Sequence, residues 1–271
     1  MLKDLHTLTP YLDFIRTCNA DPDYRDPMLL TEQQLHRNLL DAPENPNTRV
    51  FGTFEGEAIT GVFALLALED ERYLELLAGL SRSAAAYAEL LSHLKSAYPG
   101  YQADFVYNPR NRLLQEALAA LGAEFEPEQQ KLVLRRTVPY APDARIAPYR
   151  PEYRAQYLAL HTVDRYWTGE KVLAAPEVFR VLLALEDGEA AGYIDLTHNS
   201  TENEPYDLFV REKSRRRGLG RALLAAAVQE NRPNSMTLLV DIDNEAAIAL
   251  YEAQGFERAD GENNITAHIC L

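Results

Sequence analysis

A chain of 271 residues has room for one large domain or two ordinary ones of roughly 150 residues each, and two is the working count. Its 46% hydrophobic and 25% charged residues are those of a globular protein, and no apolar run approaches the roughly 18 residues of a membrane-spanning helix. The net charge of −14 divides evenly, with 13 basic and 20 acidic residues in 1–139 against 14 and 21 in 140–271. Such a surface repels nucleic acid and anionic membranes and favours a cationic partner such as an amine.

The N-terminus, MLKDLHTLTPYLDF, has no basic segment followed by an apolar stretch, so no export signal is expected. Cys18 and Cys270 lack CxxC spacing and are expected to be buried thiols of a protein in a reducing cytoplasm. A turn at Glu55-Gly56-Glu57 predicts strands near Ala58–Ala67 and Tyr73–Ala78, then a helix Ser83–Ala97, a strand Ala103–Tyr107, a helix Arg110–Leu121 and a closing strand Gln130–Arg136. Pro139-Tyr140-Ala141-Pro142-Asp143 reads as a linker. It places the domain boundary between 1–139 and 140–271.

After the linker, the pattern predicts a strand Ala144–Tyr149, a helix Pro151–Thr162, and Val178–Leu185 as a strand or the end of a second helix. A hairpin turn at Glu186–Glu189 leads into strands Ala191–Thr197 and Tyr206–Val210. A helix Gly218–Glu230, a strand Thr237–Asp241, a helix Glu245–Gln254 and a strand Thr266–Leu271 complete the half. The expectation is an α/β protein with a mixed sheet flanked by helices in each half. Phe54–Gly61 parallels Leu185–Gly192, and Asn111 to Gly122 matches Asn244 to Gly255 in length, which suggests an internal duplication.

Six of the fourteen basic residues of the second half crowd into positions 211–221, between a predicted strand and a predicted helix. A helix N-terminus attracts anions through unpaired N–H groups and its dipole. Gly218 and Gly220 would let the backbone close on a pyrophosphate, with Arg215, Arg216, Arg217 and Arg221 supplying charge. No GxxxxGK followed by Ser or Thr occurs, and the dinucleotide pattern GxGxxG fails at Leu223. The remaining alternative is a solvated or nucleic-acid-facing arginine run, which the acidic remainder disfavours.

Arg215-Arg216-Arg217-Gly218-Leu219-Gly220 resembles the RxxGxG acetyl-CoA motif of the GNAT superfamily of N-acetyltransferases. The segment from Val240 through Asn244, Ala246, Tyr251 and Gly255-Phe256 is similar to the family's second signature, in order and at family-like separation. The resemblance implies a sheet splayed between its fourth and fifth strands, with acetyl-CoA in the gap as co-substrate. It implies that Leu208, Phe209 and Val210 hold the pantetheine arm by their backbone, that Leu219 and the basic glycine loop hold the pyrophosphate, and that Asn244 and Tyr251 stand near the thioester.

Acyl transfer to an amine needs a base for the ammonium, an oxyanion donor and an acid for the departing thiolate. Tyrosine is protonated at pH 7, so Tyr251 is the candidate acid. Asp207 is the candidate base, with Glu204 as the alternative, and the resemblance makes the Val210 N–H the oxyanion donor. The resemblance also implies that the segment after the first helix of this half lines the acceptor site, which sets the acceptor, a small-molecule or peptide amine, against Asp164, Tyr166, Trp167 and Glu170. The six histidines show no HxxxH spacing, so no metal is expected.

The first half is expected to be a degenerate copy. Its loop Ala78–Ser83 has one arginine and no GxG, and Leu118 stands where Tyr251 stands in the second half. An acetyl-CoA-dependent N-acetyltransferase, monomeric or homodimeric, is the leading reading. A non-catalytic acyl-CoA-binding or regulatory protein is the rival.

Overall fold

The computed structural model describes residues 1–161 and 167–271, which form two compact units. One unit comprises Met1–Gln130 together with Asp260–Leu271; the other comprises Lys131–Ala259.

The first unit contains β1 (Leu2–Asp4), α1 (Leu12–Asn19), α2 (Glu32–Leu35), β2 (Thr48–Glu55), β3 (Ala58–Leu68), β4 (Tyr73–Ser81), α3 (Ala84–Ala97), β5 (Gln102–Tyr107), α4 (Arg112–Ala120) and β6 (Glu124–Phe125). A last strand, β15 (Ile265–Cys270), enters from the far end of the sequence, and the sheet order is β1-β2-β3-β4-β5-β15-β6. All its neighbours pair antiparallel except β4 and β5, which are parallel from Tyr73↔Gln102 to Leu76↔Phe105 and separate after that. The unbroken apolar run of β3 reflects a sheet covered on both faces. Phe63 and Leu65 meet Tyr87, Leu90 and Leu94 of α3 on one side, while Val62 and Ala64 meet Ile15, Cys18 and Leu39 on the other.

The second unit takes the end of β7 (Gln129–Leu134), then β8 (Ile146–Pro148), α5 (Arg154–Leu160), α6 (Gly169–Ala174), β9 (Phe179–Glu186), β10 (Glu189–Thr197), β11 (Glu202–Asn203), β12 (Pro205–Val210), α7 (Leu219–Glu230), β13 (Ser235–Asp241), α8 (Glu245–Ala253) and β14 (Phe256–Arg258). These strands make two sheets of four, β12-β10-β9-β8 and β11-β13-β7-β14. Consecutive strands β11 and β12 go to different sheets, because β11 pairs parallel with β13 whereas β12 pairs antiparallel with β10. The break falls at Glu204 and produces the expected splay.

The mixed α/β expectation holds, and the duplicated landmarks reappear as structure. Gly56 and Gly188 both turn hairpins with positive φ, at 61° and 82°. Asn111 and Asn244 each cap a helix, accepting the N–H of Leu114 at 3.2 Å and of Ala247 at 3.1 Å.

The domain boundary at 139/140 is corrected. β7, expected to close the first half, lies between β13 and β14 of the second unit, and β15, expected to close the second half, lies between β5 and β6 of the first. Alternation of apolar residues marks a segment as a strand without naming its partner, so the exchange leaves no trace in the pattern. Val178–Leu185 resolves as strand β9. Cys18 is buried, with its thiol pushed up to about 11 by desolvation, but Cys270 is exposed, contrary to expectation. Among the described residues no helix is long and apolar enough to cross a membrane.

Candidate active site

Residues of β12 alternate between two faces. Leu208 and Val210 turn toward α7 and α8, where a cavity of about 460 Å³ lies beside the splay. Among the described residues β12 is an edge strand of its sheet, with no strand beside its outer backbone groups. The opposite wall is formed by Ala246, Ala247, Leu250 and Tyr251 of α8. Tyr251 is only 9% exposed yet borders the cleft, with its ring edge-on to Phe256 at 5.8 Å.

The floor is the basic glycine loop. Arg215, Arg216, Gly218, Leu219, Gly220 and Arg221 all line the cavity. Arg216 and Gly218 have left-handed backbones, with φ of 59° and 81°, and Gly218 starts α7 without any side-chain cap. The first N–H groups of α7 are therefore left for a ligand, at the positive end of a twelve-residue helix. A Cβ on Gly220 would come no nearer than 3.7 Å to Leu250 and 3.9 Å to Val210, so its missing methyl leaves space in the cleft rather than relieving a clash. The arginines, the uncapped helix and the open strand edge suit a diphosphate linked to an amide-bearing arm.

Four expected cofactor residues have side-chain partners within the protein, the first being Arg215, whose Nε donates to the Val210 carbonyl at 3.0 Å. Arg217 reaches Glu186 at 3.3 Å, and that carboxylate also accepts a hydrogen bond from the Ser214 hydroxyl. These donors hold Glu186 below its usual range. Phe209 turns its ring toward Tyr193, stacked at 6.0 Å. The Asn244 side chain caps α8.

The other face of β12 carries Asp207 into an aromatic layer under α5 and α6. The Tyr193 hydroxyl donates to Asp207 Oδ2 at 2.6 Å. Across the strand pair lies Asp195, fully buried, with the Tyr157 hydroxyl 3.0 Å from Oδ1 and 3.1 Å from Oδ2. His161 Nε2 stands 3.2 Å from Asp195 Oδ2. Burial raises the Asp195 pKa despite opposition from His161 and Tyr157, and burial followed by the Asp195 charge raises that of Tyr157. One ligand-type atom from each of His161, Asp195 and Asp207 lies within 4.8 Å of the other two.

Glu204, at the break of the sheet, is raised by burial and then by the charge of Glu202. Trp167 packs edge-on to Phe179 at 4.9 Å, and Phe179 packs on Tyr206. Glu170 is exposed in the first turn of α6. Asp164 and Tyr166 lie outside the described residues. Sequence reasoning missed Tyr157, His161, Tyr193 and Asp195. The available signal was polar residues one helical turn apart in α5 and its exit, and alternating ones in β10.

In the first unit the corresponding place is filled by the chain itself. Register from Gly61↔Ser81 and Gly192↔Val210 makes Gly79 the counterpart of Leu208. The Gly79 N–H donates to Asp26 Oδ2 at 2.7 Å, and Asp26 is buried there. Helix α3 follows β4 after two residues, and the Ser83 hydroxyl caps it.

Residues 145–256 match the family model described as Acetyltransferase (GNAT) family. No curated protein matches the chain in sequence. Among solved structures, it is similar to a tandem GNAT protein from the clavulanic acid biosynthesis pathway, at 16% identity and TM-score 0.57, covering 100% of this chain and 98% of that one. It is also similar to a GCN5-related N-acetyltransferase from Sphaerobacter thermophilus, at 15% identity and TM-score 0.58, covering 83% and 80%. An acetyltransferase from the GNAT family of Colwellia psychrerythraea aligns over the whole of both chains at 10% identity and TM-score 0.54. At these identities the likeness is one of fold.

Proposed function

We propose that this protein, whose residues 145–256 match the acetyltransferase (GNAT) family model, moves an acetyl group from acetyl-CoA to the amine of a small molecule or peptide. The observation that carries this reading is the single cleft shared by the basic glycine loop, the edge of β12 and Tyr251. Arg215, Arg216, Arg221 and the uncapped start of α7 hold the diphosphate. Leu208–Val210 hold the pantetheine arm as an added strand would be held, and the Val210 N–H supports the oxyanion. Asp207 takes the proton of the acceptor ammonium, and Tyr251 gives one to the departing thiolate. The acidic surface and the carboxylates of the aromatic layer favour a cationic acceptor, with Trp167 in its wall and Glu170 at the rim.

The first unit serves as a partner without a cofactor site of its own, since Asp26 occupies the strand edge there and Ser83 caps the helix. Release of free thiol from acetyl-CoA, measured with a panel of primary amines, tests the activity. Calorimetric titration with CoA should give one site per chain. No thiol release with any amine, despite saturating CoA binding, would leave a non-catalytic acyl-CoA-binding protein.

A further inference from the structure

Two carboxylates side by side beneath a helical layer need a compensating positive charge. Among the described residues, the polar groups hydrogen-bonded to or standing beside them are Tyr157 and His161 from α5 and its exit and Tyr193 from β10, and Gly169 of α6 packs against the His161 ring. A Cβ at Gly169 would lie 2.9 Å from the end of the Leu158 side chain and 3.1 Å from that ring. The His161 side chain is 9% exposed, and its ring stacks on Tyr193 at 4.2 Å and 14° and meets Tyr157 edge-on at 4.6 Å. Nε2 is buried and satisfies no hydrogen-bond geometry, although Asp195 Oδ2 is 3.2 Å away and Asp207 is also near. A rigidly held imidazole thus turns its unsatisfied nitrogen to the space between two carboxylates.

As a class, carboxylates are poor sinks for an alkylammonium proton, because the free groups differ by roughly six pKa units, whereas an imidazole narrows that gap to about four. On the reading of this unit as an acyltransferase, we infer that His161 is the proton acceptor behind Asp207, and that Asp195 stabilises the imidazolium. The ammonium gives one proton to Asp207, which passes it to Nε2 across a gap that one water spans. The freed lone pair forms the C–N bond at the thioester carbonyl as the C–S bond breaks. The thiolate takes the Tyr251 proton, the second N–H proton restores Tyr251, and the proton on His161 leaves to solvent.

The test compares His161→Gln, Asp195→Asn and Gly169→Ala with the wild type, using acetyl-CoA and two acceptors: 1,4-diaminobutane, an ammonium at pH 7, and methoxyamine, already neutral there. For the diamine, His161→Gln should lower kcat on the order of 100-fold, leave the KM for acetyl-CoA within about twofold, and abolish the acid limb of the pH profile of kcat/KM. The methoxyamine rate should change less than about threefold. Asp195→Asn should move the acid limb, and Gly169→Ala should reproduce part of the His161→Gln effect with its histidine intact. Equal losses for both acceptors, or an unmoved pH profile, overturn the inference by reducing His161 to a structural role. Loss of turnover on chelation, restored by Mn²⁺ or Zn²⁺, overturns it in favour of a cation held by the same triad. Wild-type protein that releases no thiol with either acceptor removes the acyltransferase reading and this inference together; a fully active His161→Gln removes this inference alone.

Discussion

Tyr251 combines burial with a place on the cleft wall, which a proton donor to a thiolate requires. Tyr251→Phe keeps the ring packing against Phe256 and removes only the hydroxyl, so kcat should fall on the order of 100-fold at unchanged acetyl-CoA KM in a thiol-release assay. Asp26 makes a different prediction. Burial raises its pKa to about 7 from 3.8, outweighing hydrogen bonds from the Gly79 and Met28 N–H groups. The folded protein therefore binds this proton more tightly than the unfolded chain, so its stabilising contribution is full below about pH 4 and is lost as pH rises through 7. The wild-type Tm should fall between pH 5 and 8 by several degrees more than that of Asp26→Asn, whatever their offset at low pH. Tyr251, Arg215 and Gly220 were legible because a motif fixes them within short stretches. His161, Asp195 and Asp26 were not, since each takes its meaning from residues far away in sequence.

At the scale of elements, the loop between β12 and α7 shows how local sequence becomes a site. Gly218 has a left-handed φ that disfavours a side chain, whereas Gly220 has room for one methyl within the protein. Gly220→Ala should fold with a Tm within a few degrees of wild type and raise the acetyl-CoA KM on the order of tenfold, because the methyl enters the cleft. Loss of folding instead would assign Gly220 to packing. The first unit has the same strand-then-helix succession, but Ser83 accepts the Ala86 N–H at 3.3 Å and so uses a group that α7 leaves open. The hairpins, α3, α4, α7 and α8 could all be read from turn residues and periodicity. The break at Glu204 could not, because β11 and β12 form one extended run whose division depends on β13 and β10.

For the whole molecule, the decisive fact is the exchange of closing strands. Fragments 1–139 and 140–271 each carry the strand that completes the other's sheet, so 140–271 expressed alone lacks Lys131–Leu134 between β13 and β14 and should be insoluble or unfolded. A protease site placed in the Pro139–Asp143 linker should, after cleavage, leave two fragments that co-elute from a sizing column under native conditions and separate in denaturant. Separate elution without denaturant would mean that the exchanged strands hold weakly. Composition and pattern revealed two halves with a common plan, yet the linker that looks like a boundary lies inside the second unit. The exchange also sets an order on biosynthesis. Domains generally fold as they leave the ribosome, the N-terminal one first. Here β5 and β6 wait for β15 to come between them, so the β5 edge of the first unit's sheet remains uncovered until residues 265–270 emerge. Nascent chains arrested before that point should be the protease-sensitive, chaperone-dependent form of this protein, and both units should close at nearly the same moment.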